Sequence, residues 1–202
     1  MSGALPIRKN FLLVIFAVNL IALPLILFFI GQRYSSKISK PIPVYGKIGE
    51  NFHFTEKSGA TVSLDDLRGG LWVADFIFTR CPGQCPMVSL KMSGLQKLLP
   101  EKIRFLSFSV DPAHDTPAVL AEYAKNYGIQ NGRWLFLAGD KNETNRLLAD
   151  LHLGKVDEPN AHSLRLILLD AQLRVRGYYD SMDNASLQKL VTDANILLKE
   201  VS

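Results

Sequence analysis

The only two cysteines of the chain stand four positions apart, in Asp75-Phe76-Ile77-Phe78-Thr79-Arg80-Cys81-Pro82-Gly83-Gln84-Cys85-Pro86-Met87-Val88-Ser89. The hydrophobic period changes across this stretch. Before it, Leu71 to Phe78 is a short apolar run with Val, Ile, Trp and Phe, the composition of a buried strand. After it, Met87, Leu90, Leu95, Leu98 and Leu99 fall roughly on one face at helical spacing, which predicts a helix ending near Pro100. Pro86 suits the first turn of that helix, where no backbone N–H is needed. Both thiols are therefore expected at a strand-to-helix junction, close to a helix N-terminus.

That position has chemical consequences. Unpaired N–H groups and the helix dipole favour negative charge, which lowers a thiol pKa. Thiolates, not thiols, are the nucleophiles and the metal ligands. If the second half of Cys-x-x-x-Cys is already helical, the side chains lie about 5–6 Å apart on one face. That suits a disulfide after a small adjustment, or chelation of one soft metal ion. Two unrelated buried cysteines would be the plainer reading, since free Cys is often buried. A Pro after each Cys, and the lack of any other Cys, argue against it.

The net charge of +4 is unevenly spread. Residues 1–49 carry Arg8, Lys9, Arg33, Lys37, Lys40 and Lys47 and no acid. The remainder holds 17 basic against 19 acidic residues. The bulk of the chain thus lacks the electrostatic footprint of a nucleic-acid binder. Phe11 to Ile30 is apolar apart from Asn19 and Pro24. As a helix it would be about 30 Å long, the thickness of a bilayer core. No small-x-small cleavage site follows it, so an uncleaved anchor is expected over 11–31, after a short tail at 1–10. Residues 32–48, with Pro41 and Pro43, read as an extended linker, and residues 49–202 as the domain. The basic residues flanking the span, Arg8 and Lys9 before it and Arg33, Lys37 and Lys40 after it, taken literally slightly favour the domain on the cytoplasmic side. A short tail before a large C-terminal domain is the layout of a signal anchor and puts the domain outside the cytoplasm. Ten residues are too few for a transit peptide, which favours a bacterial inner membrane with the domain in the periplasm.

Within the domain, Phe52–Phe54 and Thr61–Leu64 form a hairpin signal around Glu56-Lys57-Ser58-Gly59. Asp65 to Gly70 reads as a turn. Strands are expected at Ile103–Val110, Arg133–Leu137, Leu164–Leu169 and Val175–Tyr179. Helices are expected from Thr116-Pro117 to Tyr127, from Glu143 to Leu151 with Asp140 as cap, and from Asn184 or Ser186 to Glu200. Three strand–helix pairs, then an antiparallel pair and a last helix, give an α/β fold around one mixed sheet.

Of the four histidines, His53, His114 and His152 read as surface or satisfied residues. His162 directly precedes the strand at Leu164. Two thiolates and one imidazole form a soft set suited to copper, holding Cu(I) and tolerating Cu(II). Zinc would usually want a fourth ligand.

Thr79-x-Cys81-Pro82-x-x-Cys85-Pro86, then Ser109-Val110-Asp111-Pro112-x-x-Asp115-Thr116-Pro117, then His162-Ser163 entering a strand that ends in Leu169-Asp170, resembles the Sco/SenC family. The resemblance runs from about Gly49 to the C-terminus. It implies a thioredoxin-like fold, a central mixed sheet flanked by helices, with one N-terminal transmembrane helix. It implies one copper ion, Cu(I) or Cu(II), held by Cys81, Cys85 and His162. It makes Asp111 an accessory residue that orders the loop. It implies a copper chaperone for the binuclear copper site of cytochrome c oxidase. The copper-site subunit would be the client, with other copper carriers or thioredoxin-like reductases as further partners. Three features depart from the pattern: Ala161 stands where the family often has Asp, the loop from Leu151 to His162 is short, and the turn after the late strand is Asp170-Ala171-Gln172-Leu173 rather than one with Pro or Gly.

Two rival readings use the same cysteines. A membrane-anchored thiol–disulfide reductase would cycle them between dithiol and disulfide, an enzyme rather than a carrier, and would need no histidine. A peroxiredoxin would need Thr three residues before its reactive Cys; here Phe78 holds that position and Thr79 stands two before.

Overall fold

The computed structural model describes residues 20, 22–27, 41–49, 52–129, 132–153 and 164–201. It divides into two compact units, Met1–Pro41 and Ile42–Ser202. In the first, residues 20 and 22–27 are helical. Most of the expected span 11–31 lies outside the described residues, and among those described no helix is long and apolar enough to cross a membrane.

The second unit runs β1 (Gly46–Lys47), β2 (His53–Glu56), β3 (Thr61–Ser63), α1 (Leu64–Leu67), β4 (Leu71–Ile77), α2 (Gln84–Leu98), β5 (Ile103–Ser109), α3 (Pro117–Lys125), β6 (Trp134–Ala138), α4 (Lys141–Asp150), β7 (Arg165–Leu169), β8 (Arg174–Asp180) and α5 (Asn184–Glu200). The strands form one sheet in the order β1-β8-β7-β4-β5-β6-β2-β3. β4, β5 and β6 are parallel, whereas β7 and β8 are antiparallel to their neighbours. This is the mixed sheet expected from the order of elements.

Every residue of β4 is buried, because the strand lies mid-sheet with helices over both faces. Two successive parallel crossovers move the same way across the sheet, so right-handed connections put α2 and α3 on one face. There Val88, Met92, Leu120, Tyr123, Leu190 and Ala194 pack against Val73, Ile77 and Phe105. On the other face α1 and α4 bring Leu64, Leu67, Leu147 and Leu148 onto Trp72, Phe76 and Phe108. Alternation along β4 thus feeds two cores, and Asp75 shares the parity of Val73 and Ile77.

Four expectations change. The turn at Asp65–Gly70 begins as the one-turn helix α1, because Asp66 accepts hydrogen bonds from both the N–H and the hydroxyl of Ser63, a capping-box arrangement. Gly46 and Lys47 are not linker but pair with Val175 and Arg174, and the folded unit begins at Ile42 rather than 49. β6 starts at Trp134, one residue later than expected; the Arg133 carbonyl still accepts the Phe105 N–H, and its guanidinium donates to the carbonyls of Gln96, Leu99 and Pro100 and closes the C-terminal end of α2. Finally, of the apolar face expected for α2, Leu95 and Leu99 are buried but Met87, Leu90 and Leu98 are exposed, and Val88 and Met92 are buried instead. Leu90 and Leu98 are 62% and 71% exposed and line an open groove against Leu187 and Val191 of α5. The helix carries two apolar stripes, and the turn out of β4 decides which one faces the sheet.

Candidate functional site

β4 ends at Ile77, and the chain turns through Phe78–Gly83 into α2. The turn is held by the Cys81 N–H donating to the Phe78 carbonyl at 3.1 Å. Gly83 is the N-cap of α2 and has no side chain to accept from the first turn. The sulfur of Cys81 takes that place, accepting the backbone N–H of Cys85 at 3.3 Å. Free N–H groups at a helix start favour an anion, and here the anion on offer is a thiolate.

The two cysteines are unequal. Burial works against the Cys81 thiolate, but the N–H groups of Cys85, Gly83 and Gln84, with the Cys85 thiol, outweigh it and hold Cys81 below the usual thiol range. Cys85 is buried. Burial, with the neighbouring Cys81 and Asp75, pushes its thiol up to about 12 despite a hydrogen bond from the Phe78 backbone. The pair therefore offers one accessible, anion-prone sulfur and one protected sulfur. Bringing a cation to both would require Cys85 to release its proton.

Asp111 is bonded on both sides of the loop. Its carboxylate accepts from Arg80 Nε at 3.0 Å and Nη2 at 2.5 Å. Its carbonyl accepts the N–H groups of His114 and Asp115. Sequence reasoning missed two other carboxylates. Asp115 is fully buried and accepts from the Thr79 hydroxyl at 2.6 Å and the Ser109 hydroxyl at 2.6 Å. The Thr79 proton is thereby spent on Asp115, which removes the activating donor that a peroxidase would need. Asp75 is also fully buried. One of its oxygens accepts from Ser107 at 2.6 Å, and the other, Oδ2, has no partner. Burial pushes its carboxyl up to about 7, against the Ser107 hydroxyl bond and its own backbone N–H. An acid inside an otherwise apolar strand run was the available signal for Asp75. Asp115 stood in the Asp111-Pro112-x-x-Asp115-Thr116-Pro117 motif, but nothing marked it as buried, because a polar residue in a polar loop looks exposed.

His53 opens β2, His114 lies in the turn after Asp111, and His152 follows α4 with φ 53°. Among the described residues no group of three or more His, Cys, Asp or Glu side chains could hold a metal ion. His162 lies outside the described residues. Two positions later, Leu164 packs against the same core cluster as Cys81. β7 pairs antiparallel with β4, Ala74 opposite Ile167, so the start of β7 lies toward the end of the sheet where β4 leads to the cysteines.

The comparisons with known proteins agree with one another. The SCO1/SenC family model matches residues 43–194. The SCO1 protein homolog of Bacillus subtilis (strain 168) is 33% identical over 153 residues, 71% of this chain and 79% of the relative. BsSco, described as a member of the Sco family of cytochrome c oxidase assembly proteins, superposes with a TM-score of 0.68 at 29% identity, over 79% of this chain and 98% of that one. ScoI of Bradyrhizobium japonicum, solved with copper bound, shares the fold with a TM-score of 0.55 at 23% identity, over 74% of this chain and 99% of that one. With both cysteines, their helix and the whole central sheet inside the matched span, this chain belongs to the SCO1/SenC family.

Proposed function

We propose that this chain is a membrane-anchored copper chaperone that binds one copper ion through Cys81, Cys85 and His162. The ion is cargo, carried toward the binuclear copper site of cytochrome c oxidase. The observation that carries this reading is the contact of the two cysteines at one helix N-terminus, with the Cys85 N–H on the Cys81 sulfur at 3.3 Å. Thiolates are soft ligands that select Cu(I), and an added imidazole suits the oxidised ion. Family membership supports the client, since BsSco is described as belonging to a family of cytochrome c oxidase assembly proteins. The pairing of β7 with β4 supports His162 as third ligand, because β7, which begins three residues after it, starts toward the end of the sheet where β4 leads to the cysteines. The exposed Leu23, Leu25, Ile26 and Leu27 support an anchor over 11–31.

The inequality of the thiols favours a second reading, a thiol–disulfide reductase in which Cys81 attacks a client disulfide and Cys85 resolves it. Copper titration of the full chain in detergent separates the two. Wild type is expected to hold one copper per chain after desalting, and Cys81→Ser or Cys85→Ser to hold none tightly. His162→Ala is expected to lose Cu(II) and its thiolate charge-transfer band, to weaken less for Cu(I), and still to form the Cys81–Cys85 disulfide. An unchanged Cu(II) band in His162→Ala removes His162 as a ligand and puts the reductase first.

A further inference from the structure

We propose that the loop from Asp111 to Asp115 is a two-point clamp on the residues before Cys81, and that Asp115 is its positioning residue. Thr79 and Arg80 are the last two residues before the first cysteine. Each is gripped by a different carboxylate of that loop. Asp115 holds Thr79 from inside, taking its hydroxyl at 2.6 Å and its backbone N–H at 3.2 Å. Asp111 holds Arg80 from outside through two guanidinium nitrogens. Ser109, at the end of β5, joins the two grips: its hydroxyl donates to Asp115 at 2.6 Å and accepts the Asp111 N–H at 3.0 Å.

The two grips differ in strength. Arg80 is largely exposed, so water and salt compete for its ion pair. Asp115 has no exposure, and its bonds lie away from solvent, where hydrogen bonds are electrostatically stronger. A buried carboxylate deprived of its donors is costly, so Asp115 holds Thr79 in one place. The next fixed point along the chain is the Cys81 N–H on the Phe78 carbonyl. Thr79 thus sits inside the turn that aims the Cys81 sulfur at the start of α2.

The consequence is a set distance between the sulfurs. A fixed turn keeps one sulfur at high effective concentration near the other, which favours the disulfide and a two-sulfur chelate alike. The disulfide consequence is independent of the metal; only the copper consequence rests on the proposed carrier function. In the test reaction the dithiol gives two electrons and two protons to glutathione disulfide, yielding the Cys81–Cys85 disulfide and two glutathione thiols.

The experiment uses the full chain in detergent, without copper, equilibrated in glutathione redox buffers and read by thiol counting. Thr79→Val removes the hydroxyl at nearly constant volume and leaves the backbone bond. Asp115→Asn removes one acceptor oxygen. Both are expected to shift the equilibrium at least threefold toward the dithiol, and Thr79→Ser to return within twofold of wild type. A lower melting temperature in Thr79→Val or Asp115→Asn, with the glutathione equilibrium within twofold of wild type, overturns the proposal and leaves Asp115 a purely structural group. Where Asp115→Asn fails to fold, the Thr79→Val and Thr79→Ser pair decides. A wild type that binds no copper defeats the carrier reading but leaves this equilibrium a valid test.

Discussion

The backbone N–H of Cys85 donates to the sulfur of Cys81 at 3.3 Å. One cysteine therefore caps the helix that contains the other. This bond strengthens as Cys81 loses its proton. It makes the two sulfurs chemically different before any ligand arrives.

Alkylation should read that difference. Brief treatment of the reduced chain with iodoacetamide at neutral pH, followed by mass spectrometry, is expected to label Cys81 at least tenfold faster than Cys85. Cys81 is held below the usual thiol range and partly exposed; Cys85 is buried and raised, and only thiolates react. Equal labelling would show that the helix start does not discriminate between them.

Asp75 should leave a mark on stability against pH. Its folded-state pKa, about 7, lies above the ordinary value of 3.8. The folded chain keeps a proton that the unfolded chain has lost, so stability is greatest below the ordinary value and falls as pH rises through 7. At about 1.4 kcal/mol per unit, wild type should lose roughly 3 kcal/mol more than Asp75→Asn between pH 5 and pH 8. Denaturant unfolding of both at several pH values checks it, and parallel curves would refute it.

Arg176 should prove a strong anchor for the start of the domain. It is buried with Asp170, at 2.9 Å, and donates to the carbonyls of Ile42 at 2.7 Å and Pro43 at 3.3 Å. Arg176→Met is expected to destabilise the chain by about 3 kcal/mol, the lower end for breaking a buried pair, because Asp170 keeps Arg174 at 2.7 Å. Lysine should not rescue it, since one ammonium cannot reach the same three acceptors. Chemical denaturation reads the loss. A change under 1 kcal/mol would mean that Ile42 and Pro43 are held by something else.

Topology is testable with a reporter after Ser202. Alkaline phosphatase fused there is expected to be active, placing the domain in the periplasm, where a Cys81–Cys85 disulfide can persist. An inactive phosphatase with an active cytoplasmic reporter at the same position would reverse the assignment.

The sequence by itself determined whatever depends on near neighbours. Leu71–Ile77 had to be a buried strand from its composition. Cys85 had to open a helix, since Pro86 and the apolar spacing allow little else. Asp140 as cap and Thr116-Pro117 as a helix start were both written within a few residues of the feature they control. So was the place of both cysteines at the junction. Only the tertiary structure decided what depends on distant partners. Thr79 meets Asp115 across 36 positions, and Arg176 meets Ile42 across 134; no local period reports such pairs. Which apolar stripe of α2 is buried was settled by the turn out of β4. The inequality of the two thiols needed the burial of Cys85 in the core between α2 and the sheet, together with backbone N–H groups that only a folded helix start points at one sulfur. Spacing sets which side chains can meet, whereas burial and donor geometry set what they do when they meet, and these exist only in the folded chain.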